Sequence, residues 1–248
     1  MNKETDFPFR QSAIDCEIDI RKLTNGELRI AIPSRGELVS GSLEYLSLNG
    51  FDTSLLSPDG RKLAIQLDQK TIAFKLRVKD MWKAFRNGVI NAAIVGADEI
   101  LEEQLEPNPA PIAPVQFLGF GGCSFRIGFP FDRPIPNGDN IRETLQTGRI
   151  ATSLPNILKY IFAQEGLSLP DNRIITFTGS VEAAISLYRD RDIVGIADRV
   201  QTGGTMLANT IRPDLALIEF PGAYLVVRQT MTTNHDVALN ELLPNYFH

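Results

Sequence analysis

The sequence predicts an α/β chain in two lobes. Three observations carry that expectation. Short apolar runs alternate with stretches of helical periodicity along most of the 248 residues. A Pro-rich stretch, EPNPAPIAP from Glu106 to Pro114, falls between two such alternating halves and reads as a linker. Several apolar runs end in turns of small residues that open at once into helices, the pattern of α/β units.

Taken in order, residues 1–27 are mixed and polar and read as an arm. ELRIAIPS is a strand that ends at Ser34-Arg35-Gly36. LVSGSLEYLSLNG carries Leu38, Leu43 and Leu46 at helical spacing and stops at Gly50. KLAIQL and TIAFKLRV read as strands, VKDMWKAFRNG as a short helix ending at Gly88. NAAIVGADEILEEQL is a buried strand, a Gly-Ala-Asp turn and a helix. Past the linker, VQFLGFGG and SFRIGFPF are apolar runs, and DRPIPNGDN is rich in turn residues. RIATS leads into the helix NILKYIFAQEG, and NRIITFTGS into the helix VEAAISLYRD. GIADRVQTGGTMLANTI supplies a strand, an acid and a glycine-rich turn. LALIEFPGAYLVVRQ gives two further strands, and NHDVALNELLPNYFH a terminal helix.

Composition narrows the function. The formal net charge is −5, which argues against a nucleic-acid-binding domain with its basic stripe. It leaves anionic substrates open, because a phosphate site is built locally from backbone N–H groups and a few cations. The start has no apolar stretch of a secretory signal, and no apolar run reaches the roughly 18 residues of a membrane span. Cys16 and Cys123 stand far apart and fit no metal pattern. The two histidines, His235 and His248, lie in the last stretch, so a histidine base is not expected. GxxxxGK[ST] and HExxH are absent.

Four turns share one design: Ser34-Arg35-Gly36, Gly96-Ala97-Asp98, Thr178-Gly179-Ser180 and Thr202-Gly203-Gly204-Thr205. In open α/β sheets ligands bind beyond the C-terminal ends of strands. The same residue types also serve merely as helix caps. The last turn stands apart. Its adjacent glycines let the backbone approach a ligand, and its threonines add hydroxyls. Asp198, just before it, either accepts hydrogen bonds from sugar hydroxyls or caps the turn.

These stretches together resemble the ATP phosphoribosyltransferase family of histidine biosynthesis. LRIAIPSRGEL resembles its first strand and loop, and RVKDMWKAFRNGVINAAIVGADEILEE its long segment ending in G-x-D-x-x-x-E. LGFGGCSFRI matches a Phe-Gly-Gly-Cys stretch, and GRIATSLPNILKYIFAQEGL resembles R-I-A-T-S-Y-P with its helix. TGSVEAA resembles N-G-S-V-E-x-A-P, and DRVQTGGTMLAN the phosphoribosyl pyrophosphate loop D-L-V-x-T-G-x-T-L-x-x-N. The matches keep their order over most of Leu28 to Arg228.

The resemblance implies a two-lobed, periplasmic-binding-protein-like fold with the active site in the cleft between lobes. It places lobe I at 28–112 plus 212–248 and lobe II at 115–211. It implies condensation of ATP with phosphoribosyl pyrophosphate, with Mg²⁺ and no protein-bound metal site of its own. Thr202, Gly203, Gly204 and Thr205 would hold the phosphoribosyl pyrophosphate, with Asp198 on the ribose hydroxyls. Glu182 and Asp198 would be the catalytic acids. Gly179 and Ser180 would line the same cleft and bind the nucleotide, with Arg35, Gly36 and Asp98 facing it from the other lobe. The chain resembles the short form of the family, since few residues follow Arg228. That implies a cytoplasmic homo-oligomer, working with a regulatory partner similar to histidyl-tRNA synthetase and insensitive to histidine when alone.

Departures from the family pattern set up the alternative. Glu37 and Ser124 stand where relatives usually have basic residues, and Leu154, Thr178 and Ile185 replace the Tyr, Asn and Pro of the motifs. YRDRD at 188–192 replaces a small apolar run. Either Glu37 turns to solvent or pairs with Arg35, with Arg126, Arg149 or Lys159 supplying the charge, or the chain is a non-catalytic paralogue that binds another small anion. A solute-binding protein is the third reading, on shared fold alone.

Overall fold

The computed structural model describes residues 27–56, 62–132, 147–187 and 193–229. The expected arm, the DRPIPNGDN turns from Arg133 on, the 188–192 stretch, the terminal helix, Cys16 and both histidines lie outside them. Chain contacts divide the protein into two compact units. One holds the chain up to Gln104, then Asn108–Gly122, then the chain from Pro221; the other holds Leu105–Pro107 and Cys123–Phe220.

The first unit is built on a six-stranded sheet. Its strands are β1 (Leu28–Pro33), β2 (Ala64–Asp68), β3 (Thr71–Leu76), β4 (Ala92–Gly96), β5 (Ile112–Phe117) and β11 (Ala223–Arg228), in the order β2-β3-β1-β4-β11-β5. β3, β1 and β4 run parallel, while β2 and β11 are antiparallel to their neighbours. Helices α1 (Leu38–Leu48), α2 (Val78–Arg86) and α3 (Ala97–Gln104) complete it. Strand alternation sorts the core onto two faces. Ile30, Ile32, Ile94 and Leu225 pack with Leu46 of α1 on one side. Ala31, Val95 and Val226 pack with Met81, Trp82 and Phe85 of α2 on the other. Gly41 sits in mid-helix because the Phe120 ring lies against it; a Cβ there would come within 2.6 Å of Phe120 Cε2.

The second unit has a five-stranded sheet of β6 (Cys123–Pro130), β7 (Arg149–Thr152), β8 (Ile174–Thr176), β9 (Ile193–Val200) and β10 (Ile211–Phe220), in the order β10-β6-β9-β7-β8. β8, β7 and β9 are parallel; β6 and β10 are antiparallel additions. The helices are α4 (Pro155–Gln164), α5 (Ala183–Leu187) and α6 (Gly204–Ala208). One core on this sheet joins Ala151, Ile196, Val200, Met206 and Ile211.

One detail differs from expectation. The Pro-rich stretch is not linker throughout: Ile112, Ala113 and Pro114 begin β5, which pairs with β11 and so belongs to the first unit. By contact the chain changes unit at 104/105, 107/108, 122/123 and 220/221, and β10, paired with β6, falls in the second unit.

Candidate functional site

Each unit has a parallel core, and three of the four turns singled out from the sequence follow its strands, after β1, β8 and β9. In the second unit, β7 pairs in register with β8 through Thr152↔Thr176 and with β9 through Thr152↔Ala197. The ends of β7 and β8 therefore lie beside β9, which runs on to Val200, and the segments 153–154, 177–182 and 201–203 follow these three strands. This is where an open α/β sheet places a ligand.

Asp198 is the hub of that edge. Ser153 Oγ donates to its Oδ1 at 2.6 Å, and the Arg199 backbone N–H donates to the same oxygen at 2.9 Å. Removal from water raises the Asp198 pKa above the ordinary carboxylate range; Ser153, the Arg199 charge and the Arg199 N–H oppose that, and the nearby Glu182 charge adds to the rise. Glu182 and Asp198 thus belong to one electrostatic neighbourhood. Ser180 holds a left-handed backbone with φ 53°, a strained conformation for a residue with a Cβ. It leads into buried Val181, which anchors the loop to the core.

The glycine-rich turn begins at Thr202, two residues after β9 ends at Val200. Gly203 occupies the cap position of α6 with φ 74°, a conformation that favours glycine, and it is buried beneath exposed Thr202, Gly204 and Thr205. Its carbonyl accepts from Leu207 N at 3.0 Å, closing the single helical turn. The Gly204 N–H reaches Thr202 Oγ1 at 3.4 Å. Gly203, Gly204, Thr202 and Thr205 thus form one turn that presents backbone and hydroxyls to solvent, on the strand that carries Asp198.

In the first unit the parallel strands β3, β1 and β4 end at Leu76, Pro33 and Gly96. Arg35 and Gly36 are exposed on the turn after β1. Glu37, at the cap position of α1, is also exposed, and no ion pair joins it to Arg35. After β4 there is no separate turn: α3 begins at Ala97, and Asp98 is buried over Gly96 in the first turn of the helix, with Glu99 beside it.

Three residues at these strand ends carry more than the sequence reading gave them. Ser153 holds Asp198, although RIATS was read only as a strand and helix start. Lys75, 3% exposed, is buried near the end of β3 opposite Ile32. Its alternation with Thr71 and Ala73 in TIAFKL was the available signal. Ser124 is buried, donates to the Val200 carbonyl at 3.2 Å and accepts from Arg126 Nε at 2.7 Å. Its hydroxyl is a structural link between strands. Cys123 is a half-buried thiol. Among the described residues no group of three or more His, Cys, Asp or Glu is placed to hold a metal, and no helix is long and apolar enough to cross a membrane.

Comparison with known proteins fits this geometry. The ATP phosphoribosyltransferase (HisG) family model matches residues 77–245. The ATP phosphoribosyltransferase of Streptococcus thermophilus is 28% identical over 220 residues, covering 87% of this chain and 91% of that protein. That of Desulfitobacterium hafniense is also 28% identical over 220 residues, covering 87% and 92%. Among solved structures, the ATP phosphoribosyl transferase (HisG:HisZ) complex from Thermotoga maritima superposes with a TM-score of 0.61 at 22% identity, over 88% of this chain and 95% of that one. The Candida albicans CA3427 gene product, described as having the generic periplasmic binding protein fold, gives a TM-score of 0.50 at 10% identity, over 88% and 68%. These likenesses bear out the two-lobed α/β fold expected from the sequence. With a family model that spans well over half of its length, the chain belongs to the ATP phosphoribosyltransferase family.

Proposed function

We infer that the chain catalyses the first step of histidine biosynthesis, joining ATP to phosphoribosyl pyrophosphate and releasing pyrophosphate. The family match over 77–245 carries the reading. The second unit supports it with an acid and a glycine-rich turn on one strand, at the edge where parallel strands end.

The chemistry asks little covalent work of the protein. A ring nitrogen of adenine forms a bond to the anomeric carbon of the ribose as the bond from that carbon to the pyrophosphate oxygen breaks. Rate comes from alignment and from stabilising the departing charge. In this reading Thr202, Gly203, Gly204 and Thr205 receive the 5′-phosphate through backbone N–H groups and hydroxyls. Asp198, held by Ser153, accepts the ribose hydroxyls, with Gly179, Ser180 and Glu182 beside it. Arg35, Gly36 and Asp98 of the first unit serve the nucleotide. Glu37 is exposed and belongs to solvent rather than to a ligand.

Mg²⁺ fits this donor set. It takes one or two carboxylates and completes its shell with substrate phosphates and water. The two acids at this edge, Glu182 and Asp198, would face an ion that arrives on the substrate's phosphates. Bound with the diphosphate, the ion would supply neutralising charge to the leaving group. A regulatory partner similar to histidyl-tRNA synthetase, self-association and a cytoplasmic setting complete the reading; a regulatory partner is in keeping with a fold that covers 95% of a subunit from a HisG:HisZ complex.

Calorimetric titration with phosphoribosyl pyrophosphate, ATP and histidine in turn, with Mg²⁺, tests the reading. Saturable binding of the first two is expected. Binding of neither substrate by folded protein would overturn it.

A further inference from the structure

We propose that Arg126, on β6, is the cation that receives substrate phosphate at the Thr202–Thr205 turn; the assignment rests on the reading above that this turn takes phosphoribosyl pyrophosphate. Geometry brings the two together. β6 and β9 pair antiparallel, with Arg126 opposite Asp198 and Ser124 opposite Val200. Residues directly opposed across such a pair rise from the same face. Gly128, two residues on, faces the same way, and a Cβ there would lie 2.6 Å from Ile211 Cγ2 and 3.1 Å from Met206 Sδ. Met206 belongs to α6, so this face is the one that the glycine-rich turn and its helix cover.

The Arg126 side chain runs along this face toward the turn. Its Nε donates to Ser124 Oγ at 2.7 Å, and one terminal nitrogen donates to the Pro213 carbonyl at 3.5 Å. The Pro213 ring in turn packs on the turn itself, 3.4 Å from where a Cβ on Gly203 would stand. Ser124 also bonds to Val200, so the guanidinium is held by two groups that both border the turn.

A phosphate at this turn calls for positive charge that the turn does not carry. Gln201 to Asn209 contains no Lys or Arg. α6 is five residues long, and the site already holds the carboxylates Asp198 and Glu182. Arg199 alternates to the other face of β9, opposite buried Phe125. Arg212 turns to the Pro130 carbonyl and lies over the Phe131 ring. Arg126 is the strand cation whose contacts lead to the turn. Its present counter-ion is Glu219, opposite Ser124 on β10, at 3.6 Å and 72% exposed. Such a solvent-screened pair is weak, and a phosphate displaces it through charge-assisted, forked hydrogen bonds. Arg126 thus acts as a binding residue, and Glu219 sets how readily it is released.

The test is the dissociation constant of phosphoribosyl pyrophosphate with Mg²⁺, at one fixed salt concentration, for the wild-type protein, Arg126→Gln, Arg126→Lys and Glu219→Gln. Arg126→Gln is expected to weaken binding by about tenfold or more, the size of a charge-assisted contact. Arg126→Lys keeps the charge without the fork and should fall between. Glu219→Gln frees the guanidinium and should tighten binding by about threefold, a gain that loss of a merely structural contact does not produce. Unchanged affinity in folded Arg126→Gln, while the wild type binds, overturns the assignment and leaves the activity reading standing. If Arg126→Gln does not fold, Glu219→Gln decides: weaker or unchanged binding overturns the assignment. A wild-type protein that binds no phosphoribosyl pyrophosphate overturns the activity reading and this assignment together.

Discussion

Asp198 is held in a state that favours its function over its stability. Burial lifts its pKa above that of the unfolded chain, which is about 3.9 for Asp. The folded protein therefore binds the proton more tightly than the unfolded one. The stabilisation from that extra proton is fully present below the unfolded value and is lost as pH rises through the folded value, so at neutral pH the charged carboxylate weakens the fold. Asp198→Asn should accordingly keep or raise the Tm at pH 7 while weakening phosphoribosyl pyrophosphate binding by tenfold or more. A fall of several degrees in Tm would contradict this. For the wild type, substrate binding should decline with acid at a higher pH than an ordinary aspartate would give, as the acceptor oxygens gain a proton; calorimetry across a pH series checks it.

Two further residues separate backbone need from side-chain need. Gly203→Val forces a β-branched residue to φ 74° against Pro213, at a cost of about 1–3 kcal/mol, and should abolish phosphoribosyl pyrophosphate binding. Retained affinity in the folded variant would sink the assignment of that turn. Glu37→Arg, at an exposed cap position without a capping bond, should change ATP affinity by less than tenfold. A larger gain in ATP titration would favour a paralogue that had lost a cation there. The glycine pair and Asp198 were legible because their types are unusual after an apolar run. Ser153 was not, since one hydroxyl after a strand has no signature until register fixes its neighbours; Lys75 showed only as an alternating position in TIAFKL, and Ser124 only as a departure from the family pattern.

At the scale of elements, the stretch after α3 is tied down by one buried acid. Glu103, 4% exposed, pairs with Arg86 of α2, and its Oε1 accepts from the Ala110 N–H at 2.6 Å. Arg86 Nε also donates to the Asn108 carbonyl. One carboxylate thus joins α2, α3 and the start of β5. Glu103→Ala strands the buried Ala110 N–H and should cost about 1–3 kcal/mol, read by denaturant unfolding. A change within about 0.5 kcal/mol would show that water replaces the carboxylate. The Pro-rich composition made a break visible here, yet its extent could not be read. Whether Ile112 and Pro114 are linker or strand is decided by β11, which pairs with them from the far end of the chain. The helices themselves were plain from periodicity and their glycine stops, as at Gly50 and Gly88.

For the whole molecule, alternation of strands and helices was enough to predict an α/β chain, because a buried parallel strand and an amphipathic helix leave different periods. The order of strands was not legible. β11 enters the first sheet antiparallel between β4 and β5, and β6 and β10 extend the second on one side. Such placements depend on long-range pairing that no local pattern encodes. They matter for function, since β6 carries Arg126 to a place opposite Asp198 and β9 carries Asp198 to the turn. This assembly serves phosphoribosyl transfer to ATP. The most direct measurement is mass spectrometry of a reaction holding the purified protein, ATP, phosphoribosyl pyrophosphate and Mg²⁺, with pyrophosphate followed in parallel. Phosphoribosyl-ATP and pyrophosphate are expected in equal amounts, both requiring both substrates and both lost in Gly203→Val. Folded protein that binds both substrates and yields neither product, with or without an added regulatory subunit, would contradict it.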